Sequence, residues 1–165
     1  MLEVDIPSRG MLRLEYLVLD VNGTIALDGQ LVPAAYERLE RLCEKLYLWL
    51  VSADTQGTLV ELADVLQIKW RLLQKGNEAT QKAALVGELG AERVVAIGNG
   101  ANDAMMLRQA ALGTLALAGS ARVAVLGGEG LSAACLAAAD VVVPRIESAL
   151  DLLLYPRRLV ATLRT

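Results

Sequence analysis

The sequence predicts an α/β fold in which helices cover both faces of a central, mainly parallel sheet, and three observations carry that expectation. Aliphatic runs without a polar face, YLVL at 16–19, YLWLV at 47–51 and VVAI at 94–97, read as strands buried on both sides. Segments of helical periodicity separate them, and strands that alternate with helices are joined by right-handed crossovers into a parallel sheet. The composition agrees, with 55% hydrophobic residues, mostly Leu, Ala and Val, 4% aromatic residues and no Phe. At roughly 100 to 200 residues per domain, residues 1–165 form a single domain. A chain of this size buries about 70% of the surface its unfolded form exposes and needs no metal or disulfide to fold.

The elements follow in order. LEVDI, the turn Pro7-Ser8-Arg9-Gly10 and LRLEYLVLD read as two strands of a hairpin, the second running into Asp20. Asp28-Gly29 is a two-residue turn between short apolar arms, a flap hairpin just after that strand. Pro33 opens a helix through about Lys45. YLWLVS is the next buried strand, and Ala53-Asp54-Thr55 caps the helix GTLVELADVL, Asp54 and Thr55 being read as cap residues. A short strand lies near IKWRLL, a helix from Asn77 to Leu89, a strand from Arg93 to Ile97, and a helix from Asn102 after the Gly98-Asn99-Gly100 loop. A strand near Val123–Leu126, a helix near Leu131–Ala138, a strand at Val141–Val143 and helices on either side of Pro156 complete a three-layer, Rossmann-like domain. Met105 and Met106 read as core packing, and Cys43 and Cys135, without CxxC spacing, as buried free thiols.

Charge and hydropathy exclude several functions. Sixteen basic and nineteen acidic residues give a net charge of −3 without a basic cluster, which argues against nucleic acid or an anionic membrane as partner. Mean hydropathy is high at +0.42. A membrane span takes roughly 18 or more apolar residues, and the longest run, Ala110 to Ala121, stops at Arg122, with later runs cut by Glu129, Asp140 and Arg145. Glu3 and Asp5 stand where a signal peptide carries positive charge, so a cytoplasmic protein is expected.

In an open α/β sheet, ligands bind beyond the carboxyl ends of the strands. Those ends hold Asp20, Ser52, and Asn99 with Asn102 and Asp103. The set joins a carboxylate able to act as nucleophile or metal ligand, a hydroxyl for a phosphate oxygen, and a second carboxylate toward an oxygen-rich Mg2+ site. Gly23 and Gly98 allow close approach of backbone to a ligand. The positive charge a phosphate needs falls to Lys82 or Lys75. On spacing alone Lys82 reads more readily as one solvated lysine among many.

These residues resemble the haloacid dehalogenase (HAD) superfamily. LVLDVNGTIALDG resembles its first motif, a hydrophobic strand followed by DxDxT, with Asp20 at the nucleophile and Thr24 at the closing threonine. Ser52 after YLWLV, Lys82, and GNGANDAMML beside GDGxNDxxM match the second, third and fourth motifs in order. The stretch from Lys82 to Leu107 resembles the phosphorylation domain of P-type ATPases, and the chain as a whole, through RRLVATLR, the small soluble P-type ATPase-like proteins. The resemblance implies phosphoryl transfer through an aspartyl phosphate on Asp20, with Asp20, Asn22, Ser52 and Lys82 as the catalytic set. It further implies phosphate contacts from Gly23, Thr24, Ser52, Ala53, Lys82 and Asn102, and Mg2+ held by Asp20, the Asn22 carbonyl, Asn99 and Asp103. Asn102 and Asp103 orient either the metal shell or Lys82.

The chain departs from the pattern twice. Asn22 replaces the acid that serves as general acid and base, help worth typically about 10²- to 10⁴-fold, so slow turnover is expected. Asn99 replaces a metal-binding acid and weakens the cation site. Asp20 and Ser52 are 32 positions apart, and Ser52 and Lys82 are 30 apart, too few for a cap domain. Cover for the site is then expected from a macromolecular substrate or a neighbouring subunit, which together with the hydrophobic excess suggests a homo-oligomer. The leading function is a Mg2+-dependent phosphohydrolase or phosphotransferase on a phosphorylated substrate. The alternative is a catalytically weak phosphate-binding or regulatory module on the same fold. A dinucleotide-binding reading fails because GNGAND lacks the third glycine of GxGxxG.

Overall fold

The structure, a computed structural model, describes residues 1–55, 57–112 and 122–164. Strands β1 (Leu2–Ile6) and β2 (Gly10–Leu14) form an antiparallel hairpin, Leu2 opposite Leu14. The expected continuous second arm is broken at Glu15: β3 (Tyr16–Asp20) belongs to a different sheet. The burial patterns give the reason. The hairpin alternates buried and exposed residues, whereas β3 is enclosed on both faces, and one straight strand cannot serve both environments. Glu15 makes the joint, its N–H donating to the Arg93 carbonyl (2.9 Å) and its carbonyl accepting from the Tyr47 N–H (2.8 Å).

Beyond β3 come β4 (Ala26–Leu27) and β5 (Gln30–Leu31), turned by Asp28 and Gly29, both at positive φ (50° and 78°) as a type I′ flap turn demands. The chain then runs through α1 (Pro33–Cys43), β6 (Tyr47–Ser52), α2 (Leu59–Leu66), β7 (Lys69–Leu72), α3 (Glu78–Leu89), β8 (Val94–Gly98) and α4 (Ala104–Leu112). It continues with β9 (Arg122–Val125), α5 (Ala133–Leu136), β10 (Val141–Val143), α6 (Ile146–Leu154) and α7 (Pro156–Leu163).

Six strands form one sheet in the order β10-β9-β8-β3-β6-β7, every pair parallel. This is a doubly wound arrangement whose connections reverse direction at β3, so the crevice at the carboxyl ends of β3 and β8 is the expected ligand position. Leu17, Leu19, Leu50, Val95 and Ile97 face α1, α2, α6 and α7, while Val18, Val51, Ala96 and Ala124 face α3, α4 and α5. Two buried faces absorb the aliphatic excess. Among the described residues, β3 and α1 are separated only by the flap, and β6 and α3 only by α2 and β7, with no inserted cap.

Two packing expectations are corrected. Met106 is fully buried but Met105 is 43% exposed, because consecutive residues on a helix point about 100° apart and cannot both meet the core. Cys135 is buried, whereas Cys43 is exposed, since Leu39 and Leu42 already take the core side of α1. Of the apolar run Ala110–Ala121, residues 113–121 lie outside the described residues. Among the described residues no helix is long and apolar enough to cross a membrane.

Candidate active site

Among the described residues six polar or charged side chains are buried: Asp20, Thr24, Ser52, Lys82, Asn99 and Asp103. All six come together at the carboxyl ends of β3, β6 and β8. Burying such groups costs free energy unless they satisfy one another, and a core otherwise built of aliphatics concentrates them in one place.

Lys82 anchors the group. It lies on α3 one turn before Leu85 and Val86, on the stripe that faces the sheet, and is only 1% exposed. Its Nζ donates to Asp20 Oδ1 (2.7 Å) and to Asp103 Oδ1 (2.6 Å). Lys75, the competing lysine, is exposed before the helix begins. Asp103 uses its other oxygen as well, Oδ2 accepting from the backbone N–H groups of Asn99 (3.0 Å) and Gly100 (2.8 Å). Gly98 makes this possible, because a methyl group there would lie 2.4 Å from Asp103 Cγ.

Thr24 Oγ1 stands 3.2 Å from Asp20 Oδ2 and 3.1 Å from Asn99 Oδ1. The N–H groups of Thr24, Ile25 and Ala26 all turn back to the Val21 carbonyl, so the chain folds tightly over Asp20. Ser52 Oγ accepts from the Asp54 N–H (2.9 Å), and Asp54 Oδ1 accepts from the N–H groups of Thr58 and Leu59, capping α2 as the sequence predicts. Thr55 does not cap; its Oγ1 accepts from Asn22 Nδ2 at 3.4 Å.

Burial pushes the Asp20 carboxyl up to about 7, helped by the Asp103 charge and opposed by Lys82. For Lys82, burial alone favours the neutral amine, but the carboxylates of Asp20 and Asp103 outweigh it and hold the ammonium above its ordinary range.

Above these groups opens a cleft of about 300 Å³ lined by Asp20, Asn22, Ser52, Ala53, Lys82, Asn99 and Asn102 from the predicted set, joined by Thr55, Glu78, Gly100 and Glu129. Gly23, Thr24 and Asp103 lie outside this lining; Thr24 and Asp103 support it through the hydrogen bonds above. Glu129 is the main residue that reading the sequence missed. The rule that singles out Asp20 also reaches it, since Glu129 follows the carboxyl end of β9 between Gly128 and Gly130.

The fold has been seen before. The chain superposes on the cobalt-bound deoxy-D-mannose-octulosonate 8-phosphate phosphatase of Haemophilus influenzae with a TM-score of 0.67 and 16% identity, over 93% of this chain and 94% of the other. The 3-deoxy-D-manno-octulosonate 8-phosphate phosphatase of Moraxella catarrhalis, solved with a magnesium ion, a phosphate ion and a KDO molecule, gives 0.67 and 18% over 92% and 94%. A protein of Streptomyces avermitilis described as a candidate HAD family hydrolase gives 0.66 and 20% over 92% and 90%. In sequence, the chain is 39% identical over 93 residues to the uncharacterized protein MJ0073 of Methanocaldococcus jannaschii, spanning 54% of this chain and 90% of that one. The chain belongs to the family of MJ0073 and has the haloacid dehalogenase fold. The uncharacterized protein MJ0072 of the same organism matches 39 residues at 46% identity, 24% of this chain and 89% of the other. No protein-family profile matches the sequence. Within the HAD fold, the cleft occupies the switch point of the sheet, with Asp20 at the end of its central strand.

The cleft suits a hard cation. Its donors are oxygens, and among the described residues no three acidic, histidine or cysteine side chains gather closely enough to hold an ion by themselves. Mg2+ asks for no such cage: it keeps several waters and takes one or two carboxylates plus substrate phosphate oxygens.

Proposed function

We propose that this chain is a Mg2+-dependent phosphohydrolase or phosphotransferase that works through an aspartyl phosphate on Asp20. The observation that carries this reading is the buried Asp20–Lys82–Asp103 group at the floor of an open cleft. A carboxylate placed there, beside an ammonium able to neutralise an incoming phosphoryl oxygen, has the components of nucleophilic catalysis.

An Asp20 oxygen attacks phosphorus, the bond from phosphorus to the leaving oxygen breaks, and the leaving oxygen takes a proton from solvent. Water then attacks phosphorus of the aspartyl phosphate, releasing inorganic phosphate and restoring the Asp20 carboxylate. Lys82 and Ser52 bind phosphate oxygens, with Gly23, Thr24, Ala53 and Asn102 shaping the rest of the pocket. Asp103, its oxygens committed to Lys82 and two backbone N–H groups, positions the ammonium. Asn22, through a carbonyl left out of the turn onto Val21, and Asn99 would join Asp20 in holding Mg2+. When bound, the cation neutralises charge on the phosphoryl group, which this cleft needs because Lys82 is the sole cationic side chain among the lining residues and Asp20, Glu78 and Glu129 are acidic.

The test is incubation with acetyl phosphate or p-nitrophenyl phosphate. Mg2+-dependent phosphate release is expected, with an acid-stable, hydroxylamine-labile phosphoenzyme that disappears in Asp20→Asn; absence of both would overturn the reading. Asn22 supplies an amide where a proton must move, so Asn22→Asp is expected to raise turnover by roughly 10²- to 10⁴-fold. A second reading, a phosphate-binding module with little chemistry, is favoured by the way both amides are built into hydrogen bonds, Asn22 to Thr55 and Asn99 to Gly130. Turnover unchanged in Asn22→Asp would support it.

A further inference from the structure

We infer that Glu129, on the loop after β9, supplies the second carboxylate of the cation site, in the place where Asn99 offers only an amide. The inference rests on the Mg2+-dependent reading above and extends it to a residue outside the four motifs.

Charge comes first. Of the two buried carboxylates, Asp103 has no exposure and lies outside the cleft lining, so Asp20 alone among them borders the cleft where an ion would sit. One carboxylate balances half of a divalent charge. Glu129 lines the cleft with its carboxylate in no hydrogen bond or ion pair among the described residues.

Its loop is also built. Asn99 Nδ2 donates to the Gly130 carbonyl (3.0 Å), and the Ser132 N–H donates to the Asn99 carbonyl (2.9 Å), so the segment just after Glu129 is tied to both the side chain and the backbone of Asn99. Gly127, at φ +47°, lets the same segment press against the first loop, since a Cβ there would lie 2.7 Å from the Gly23 carbonyl. Glu129 Oε2 and Asn99 Nδ2 crowd the same side of Gly23: a Cβ on that residue would meet them at 2.8 and 2.6 Å. The sequence thus uses glycines at 23, 127 and 130 to bring an unpaired carboxylate onto the rim of a cleft that already holds Asp20 and Glu78. The acids lining this cleft outnumber its one ammonium, Lys82, so a bound cation would relieve the excess negative charge.

The experiment measures Mg2+ binding to the full chain by calorimetry, with Mn2+ and electron paramagnetic resonance as a second probe, in the absence of substrate. Glu129→Gln keeps size and shape at an exposed position. It is expected to weaken Mg2+ affinity by roughly 10- to 100-fold, the range associated with losing a carboxylate that supports a metal. Asn99→Asp in the Glu129→Gln background is expected to recover affinity by moving the charge across the contact. Unchanged affinity in Glu129→Gln, with wild type binding Mg2+ and forming the phosphoenzyme, overturns this inference and leaves the proposed function standing. Lost activity with unchanged affinity also overturns it and assigns Glu129 to proton transfer instead. A wild-type chain that binds no Mg2+ overturns both.

Discussion

At the scale of single residues, Lys82 decides the character of the site. It is an ammonium almost wholly removed from water and held by two carboxylates at 2.7 and 2.6 Å. Removing one partner of such a group leaves charge uncompensated in the interior, at a cost of about 3 to 5 kcal/mol. Asp103→Asn leaves Lys82 in a balanced pair with Asp20 and is expected to cost less, about 1 to 3 kcal/mol for the weakened charged hydrogen bonds, in urea unfolding with an unchanged slope. Gly98→Ala reaches the same carboxylate through crowding and is expected to cost roughly 1 to 3 kcal/mol, with the phosphate release expected of the proposed function falling in parallel as Lys82 shifts. These residues differ in how far the sequence displayed them. Asp20 and Ser52 could be read because they end unbroken aliphatic strands. Lys82 was ambiguous on spacing alone, because the apolar run after it does not say which way the first turn of the helix faces; the structure puts it on the buried stripe of Leu85 and Val86, as a lysine that the core must accommodate. Glu129 was passed over as an interruption in an apolar run, because its approach to Asn99 depends on the pairing of β9 with β8, strands that are far apart in sequence.

At the scale of elements, the loop after β6 shows how one residue serves both fold and site. Asp54 sits at φ +50°, a conformation that Asp and Asn tolerate better than most residues, and from there it accepts two N–H groups at the start of α2 while its own N–H fixes Ser52 Oγ. Asp54→Ala is expected to destabilise the protein by about 0.5 to 2 kcal/mol, and Asp54→Asn by much less, as read from thermal unfolding. The inner strands β3 and β8 were legible almost residue by residue, since burial on both faces leaves no polar position to confuse the pattern. The break at Glu15 was not: LRLEYLVLD looks continuous, and what divides it is a pair of backbone bonds to Arg93 and Tyr47, residues contributed by other strands. The N-terminal hairpin consequently stands at the amino end of the sheet, away from the cleft.

At the scale of the whole molecule, the two cysteines report on the packing. Burial, with help from Asp103 and Asp20, pushes the Cys135 thiol up to about 12, so almost no thiolate exists at neutral pH, and its Sγ is turned toward the Gly98 carbonyl. Cys43 is exposed. A thiol reagent at neutral pH is expected to label one cysteine in the native protein and two after denaturation; rapid labelling of both would contradict the packing of α5. The oligomer expected from composition is checked by light scattering after gel filtration, where a mass well above 17.6 kDa is the anticipated result and a monomer at micromolar concentration removes the idea. The strand order has a consequence in time. β3 is made early, yet one of its two neighbours is β8, with Tyr16 beside Val94, and Asp20 meets its ammonium only when Lys82 has also emerged. As the chain leaves the ribosome, the first three strands of the sheet can assemble while the flank of β3 toward β8 remains unpaired. Loop closure across that sequence distance is slow, and the same closing event completes the sheet and brings Lys82 to Asp20, so that a half-made chain has no assembled cleft.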